Sequence, residues 1–62
     1  MNILKQLREE KNVLQAEVAK QIGITTSYYG MIESCIRKPS LSVAIKLAKY
    51  FKKNVEEIFF ET

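Results

Sequence analysis

Apolar residues recur at three- and four-residue spacing through five stretches of this chain, and nowhere does a period of two run for a useful length. Ile3, Leu4 and Leu7 form the first stripe, in a helix expected from Asn2 to Lys11. Val18, Ala19 and Ile22 share one face over Gln15–Ile22. A third helix is expected to open at Thr25 or Thr26 and run to about Ser34, with Tyr29 and Ile32 inward. Leu41 to Lys52 carries apolar residues at 41, 44, 45, 47, 48 and 51, the wide stripe of a core-facing helix. Val55, Ile58 and Phe59 mark a last short helix. The pattern predicts an all-α fold, a compact five-helix bundle, with residues 1–62 as one domain.

Residues with special backbone or capping chemistry fall between these stripes. Asn2, Thr25 and Ser40 stand where an N-cap acceptor is wanted, and Asn54 with Glu57 resembles a capping box. Asn12 and Gly23 follow helix ends, where a left-handed residue closes the last turn. Pro39 punctuates the basic connection from Cys35 to Lys38. Gly23 therefore sits in a short turn between two helices, which is a helix-turn-helix arrangement. Such an arrangement lays its second helix in the DNA major groove, so sequence-specific DNA binding is the leading expectation.

Composition narrows the alternatives. A chain of 62 residues buries only about 60% of its unfolded surface, so it needs tight packing or a partner. The formal charge of +3 favours polyanionic partners without identifying one. One Cys forms no internal disulfide, and with no His there is little from which to build a metal site. No apolar run approaches the ~18 residues needed to cross a bilayer. The opening MNILKQLREE is charged within its first turns, unlike a signal peptide, and a cytoplasmic location is expected. An enzyme is not expected, nor a cofactor or a small-molecule substrate: there is no glycine-rich phosphate loop, no paired catalytic carboxylates and no base to activate Cys35.

Five segments in register resemble the Cro/CI-type (XRE-like) helix-turn-helix regulators of bacteria and phages. They are LKQLREEKN at 4–12, QAEVAKQIGI at 15–24, YYGMIES at 28–34, RKPSL at 37–41, and KLAKYF followed by NVEEIF within 46–59. The resemblance covers almost the whole chain. It implies a lambda-repressor-like five-helix fold, operator binding as a dimer, and transcriptional control, most often repression. It also implies a salt bridge between Arg8 and Glu33, joining the first helix to the end of the third.

The same resemblance assigns the DNA-facing positions. Gln15, at the start of the second helix, matches a residue whose amide touches phosphate and a base edge in relatives. Thr25, Thr26, Ser27 and Met31 belong to the end and the exposed face of the recognition helix. Thr and Ser hydroxyls bond several base edges without the discrimination of a bidentate Arg or Gln. Tyr28 is open between a DNA contact and surface packing, whereas Tyr29 is expected in the core with its hydroxyl at the surface. Gly30, expected exposed in mid-helix, either admits the DNA backbone or merely weakens the helix. Arg37 and Lys38 lie in the loop that flanks the phosphates in relatives. Lys5, Lys11 and the lysines of the fourth helix read as solubilising charge.

The chain departs from the family pattern at the rim of that surface. Leu14 takes the place of a capping Thr, Ser or Asn, Cys35 that of a Gly, Ile36 that of a Lys, and Lys52 that of a helix-ending Gly. The expected function is a repressor acting on double-stranded DNA as a homodimer, with Phe60 a candidate for the subunit interface. The competing expectation is a protein-interaction or antitoxin-like module on the same fold, which exposed Ile36 would serve.

Overall fold

The computed structural model describes residues 2–59. They form five helices: α1 (Leu4–Lys11), α2 (Gln15–Ile22), α3 (Thr26–Glu33), α4 (Leu41–Phe51) and α5 (Val55–Phe59). Phe60 lies outside the described residues.

The helix starts follow the capping chemistry. Thr25 Oγ1 accepts from the Tyr28 N–H at 3.0 Å and Ser40 Oγ from the Val43 N–H at 3.2 Å, opening α3 and α4. α1 begins two residues later than the expected start at Asn2, yet Asn2 still serves its end, because Asn2 Oδ1 accepts from the Leu4 N–H at 3.0 Å. Leu14 has no acceptor to offer α2, so only the reciprocal half of a capping box forms: the Glu17 carboxylate accepts from the Leu14 N–H at 2.9 Å. At α5 the Glu57 carboxylate does the same for the Asn54 N–H at 2.8 Å.

Four helices end alike. After α1, α2, α3 and α4 the chain turns left-handed at Asn12, Gly23, Cys35 and Lys52, with φ of 59°, 78°, 64° and 57°. The N–H of the next residue then reaches back to the last full turn: Val13 to Arg8, Ile24 to Ala19, Ile36 to Met31, Lys53 to Ala48. These are Schellman closures, and only one uses the glycine that fits the conformation without cost.

The core is built from every helix. Leu4, Leu7, Val18, Ala19, Ile22, Tyr29, Ile32, Leu47, Phe51 and Ile58 are buried together. In α4 the buried face is Val43, Ala44, Leu47, Ala48 and Phe51, whereas Leu41 and Ile45, counted in the apolar stripe, are exposed. The run LSVAIKLA is apolar on two sides, so spacing alone does not fix which side faces inward. In α5 Ile58 is buried, and Val55 and Phe59 are half-buried against the core. Asn2 adds a polar tie between the ends of α1 and α3, its Nδ2 donating to Ile32 O at 2.9 Å.

Candidate nucleic-acid interface

Burying Tyr29 and Ile32 leaves α3 with its opposite face turned outward. Thr26 and Ser27 are exposed in its first turn, and Met31 and Tyr28 are half-buried farther along or to the side. The first turn thus offers two hydroxyls next to the N-terminal end of a helix, where free amides and the dipole favour an anion.

Tyr28 links this face to the following loop. Its hydroxyl oxygen accepts from the Ser40 N–H at 3.3 Å, at the start of α4, while its ring packs against the core. The phenolic proton is then left to donate elsewhere, and a phosphate oxygen is a suitable acceptor. The Arg37 guanidinium lies 5.5 Å from the ring centroid, a cation–π placement that holds a charge beside α3. Lys38, next along the same loop, is exposed.

A second group ties the outer face to the core. Arg8 Nε donates to Glu33 Oε2 at 2.8 Å and Arg8 Nη2 to Glu33 Oε1 at 3.1 Å, a bidentate pair. The side chains are 15% and 6% exposed, so the pair is screened from most solvent. Arg8 Nη1 also donates to Val13 O at 3.1 Å, closing the joint between α1 and α2. Among the described residues this is the only ion pair.

Gln15 joins that pair. Its Nε2 donates to Glu33 Oε1 at 3.0 Å, bringing the first residue of α2 onto α3. The carboxamide lies over Gly30: a Cβ placed there would meet Gln15 Oε1 at 3.4 Å. Gly30 is therefore half-buried under a neighbouring side chain, not exposed in mid-helix as its position suggested. This juxtaposition escaped the sequence reading because it joins residues fifteen apart on two helices, which no local spacing encodes.

Tyr29 also differs from expectation, for its side chain is fully buried, hydroxyl included. Among the described residues the hydroxyl has no hydrogen bond of ordinary geometry. Burial first, and then the Glu33 carboxylate beside it, pushes its pKa well up. For Glu33 burial acts upward, but hydrogen bonds from Arg8 and Gln15, the Tyr29 hydroxyl and the Arg8 charge outweigh it and hold the carboxyl below the usual range.

Around this surface the rim is less polar than its place suggests. Leu14 is 67% and Ile36 73% exposed. Cys35 is exposed and takes a hydrogen bond from Asn2 Nδ2 at 3.4 Å. Lys11 lies 5.2 Å from the Tyr50 ring centroid. Among the described residues no group of three or more His, Cys, Asp or Glu side chains could hold a metal ion, and no helix is long and apolar enough to cross a membrane.

Comparison with known proteins agrees with this architecture. The family model described as helix-turn-helix matches residues 4–58. An uncharacterized HTH-type transcriptional regulator of Methanocaldococcus jannaschii is 38% identical over 58 residues, covering 94% of this chain and 88% of the relative. One from Archaeoglobus fulgidus is 34% identical over 56 residues, covering 90% and 79%. YqaF of Bacillus subtilis, also an uncharacterized HTH-type transcriptional regulator, is 48% identical over 46 residues, covering 74% and 60%. The matched span runs from the first residue of α1 to the core isoleucine of α5, and the chain belongs to the Cro/CI-type (XRE-like) helix-turn-helix family of DNA-binding transcription regulators.

Proposed function

We propose that this regulator is a cytoplasmic repressor that binds a two-fold operator as a homodimer, with α3 in the major groove. The observation that carries the reading is the outward face of α3, where Thr26 and Ser27 stand exposed on the same helix that holds Gln15 at Gly30 and Glu33 and Arg37 at Tyr28. Gln15, Thr26 and Ser27 then meet base edges, with Met31 giving apolar contact. Thr25, at the cap, lies against the backbone. Tyr28, Arg37 and Lys38 contact phosphates, which fix register and carry no sequence information.

Pairing of subunits follows from the short reach of one helix, because two copies about 34 Å apart multiply the information read. A groove of about 440 Å³ supports it, with Leu41, Ala44, Val55 and Phe59 among its lining residues. Leu41 is 73% exposed and shares the groove with Phe59, the last described residue. Phe60, whose place is undescribed, remains part of the proposed interface.

Selection of bound duplexes from a random pool tests the whole reading. A selected sequence with two-fold symmetry and half-sites one helical turn apart is expected. Failure to enrich any duplex, together with capture of a protein partner through exposed Ile36, favours the antitoxin-like alternative instead.

A further inference from the structure

We infer that Gly30 and Glu33 are positioning residues for the Gln15 carboxamide, which α3 clamps in one orientation before DNA arrives. The inference rests on the DNA-binding reading, and its first measurement is made without DNA. Two contacts define the clamp: Gln15 Nε2 donates to Glu33 Oε1 at 3.0 Å, and Gln15 Oε1 would lie 3.4 Å from any Cβ at position 30. Glu33 cannot swing away to release the amide, because Arg8 holds both its oxygens.

A free glutamine at a helix start samples several rotamers and both faces of its amide, and it loses that freedom on binding. Here the bond to Glu33 uses one N–H of the carboxamide. Among the described residues the carbonyl oxygen and the second N–H have no hydrogen-bond partner, and these are the groups with which a glutamine reads adenine. Gly30 permits this by lacking a side chain. Its own φ is not left-handed, so the backbone itself makes no demand for glycine there. The glycine weakens α3, and the compensating feature in the structure is the space it gives Gln15.

The test combines Gly30→Val, Gly30→Ala and Gln15→Ala. Valine has a helix propensity no worse than glycine's, so α3 survives, but its branched methyls enter the space that the carboxamide occupies. In the free protein, one Gln15 side-chain amide proton should resonate downfield through its bond to Glu33, and Gly30→Val should return it to the position of a solvated glutamine. On the selected duplex, Gly30→Val should weaken binding by about tenfold when Gln15 is present and by much less in the Gln15→Ala background. Gly30→Ala, whose methyl only touches the carboxamide, should lose less than Gly30→Val.

Equal losses in both backgrounds would overturn the inference, since Gly30 would then act on DNA directly or through the helix as a whole. An unshifted Gln15 amide proton in the wild type would overturn it too, with DNA recognition left standing. If the wild type binds no duplex while the amide proton is shifted, the clamp exists but does not serve DNA, and the positioning assignment falls with the DNA reading.

Discussion

Glu33 accepts from Arg8 through both oxygens and from Gln15 through one, and each partner belongs to a different helix. Removing Arg8 strands that carboxylate in a site where its side chain is only 6% exposed. Arg8→Ala should therefore cost about 2–3 kcal/mol, below the full figure for a completely buried pair because Arg8 keeps some solvent contact. Urea unfolding with an unchanged slope measures it; an unmoved midpoint would refute it. The pH dependence has a definite sign. Glu33 is held below the usual carboxylate range when folded, so its contribution is complete above an unfolded pKa of about 4.3. It is lost as pH falls through the lower folded value. The urea midpoint of the wild type should drop on that acid limb, and that of Arg8→Ala should be flatter there. The core place of Tyr29 was legible in the chain, but neither the burial of its hydroxyl nor the seat of Gln15 over Gly30 was. Both depend on side chains meeting across helices, whereas Thr25, Ser40, Asn12 and Gly23 act on their own neighbours and could be placed from the sequence alone.

At the scale of the element, four helix ends share one backbone closure. Asn12, Gly23, Cys35 and Lys52 perform the same left-handed closure with four different side chains. Asn tolerates that region and Gly is indifferent to it, but Cys35 and Lys52 carry a Cβ against the following carbonyl, at about 1–2 kcal/mol each. Cys35→Gly should relieve this and stabilise the fold by about 1 kcal/mol, part of the gain being offset by the greater freedom of Gly in the unfolded chain. The weak bond from Asn2 to the Cys35 sulfur goes with it, a small loss. A raised thermal midpoint would bear this out, and a lowered one would mean that the sulfur contact outweighs the strain. The ends of α1 and α2 were legible for this reason, since Asn12 and Gly23 suit that conformation just where an apolar stripe stops, whereas Cys35 and Lys52 stood out only as replacements of a Gly. The inward face of α4 was not, because Leu41 and Ile45 are as apolar as Val43, and only packing against α2 and α5 decides between them.

For the molecule as a whole, the distribution of charge makes the dimer reading quantitative. Arg37, beside the Tyr28 ring of α3, and Lys38, next to it in the following loop, are both exposed. Each cation that displaces a condensed counterion from duplex DNA contributes about −0.9 to the slope of log affinity against log salt. Two such contacts in each subunit give a slope of about −4 for a dimer on a two-fold site and about −2 for a monomer on a half-site. Arg37→Ala should reduce the dimer's slope by about 2, because each substitution is counted in both subunits, and should leave base preference unchanged since phosphate contacts carry none. Thr26→Ala should behave in the opposite way, relaxing the preferred sequence while the salt slope stays put. Titrating the selected duplex at several salt concentrations with the three proteins separates these outcomes. A wild-type slope near −2 with no change in stoichiometry would remove the dimer and keep DNA binding. A slope unaffected by Arg37→Ala would mean that the Arg37–Tyr28 pair faces solvent in the complex, and that α3 meets the duplex at a different tilt.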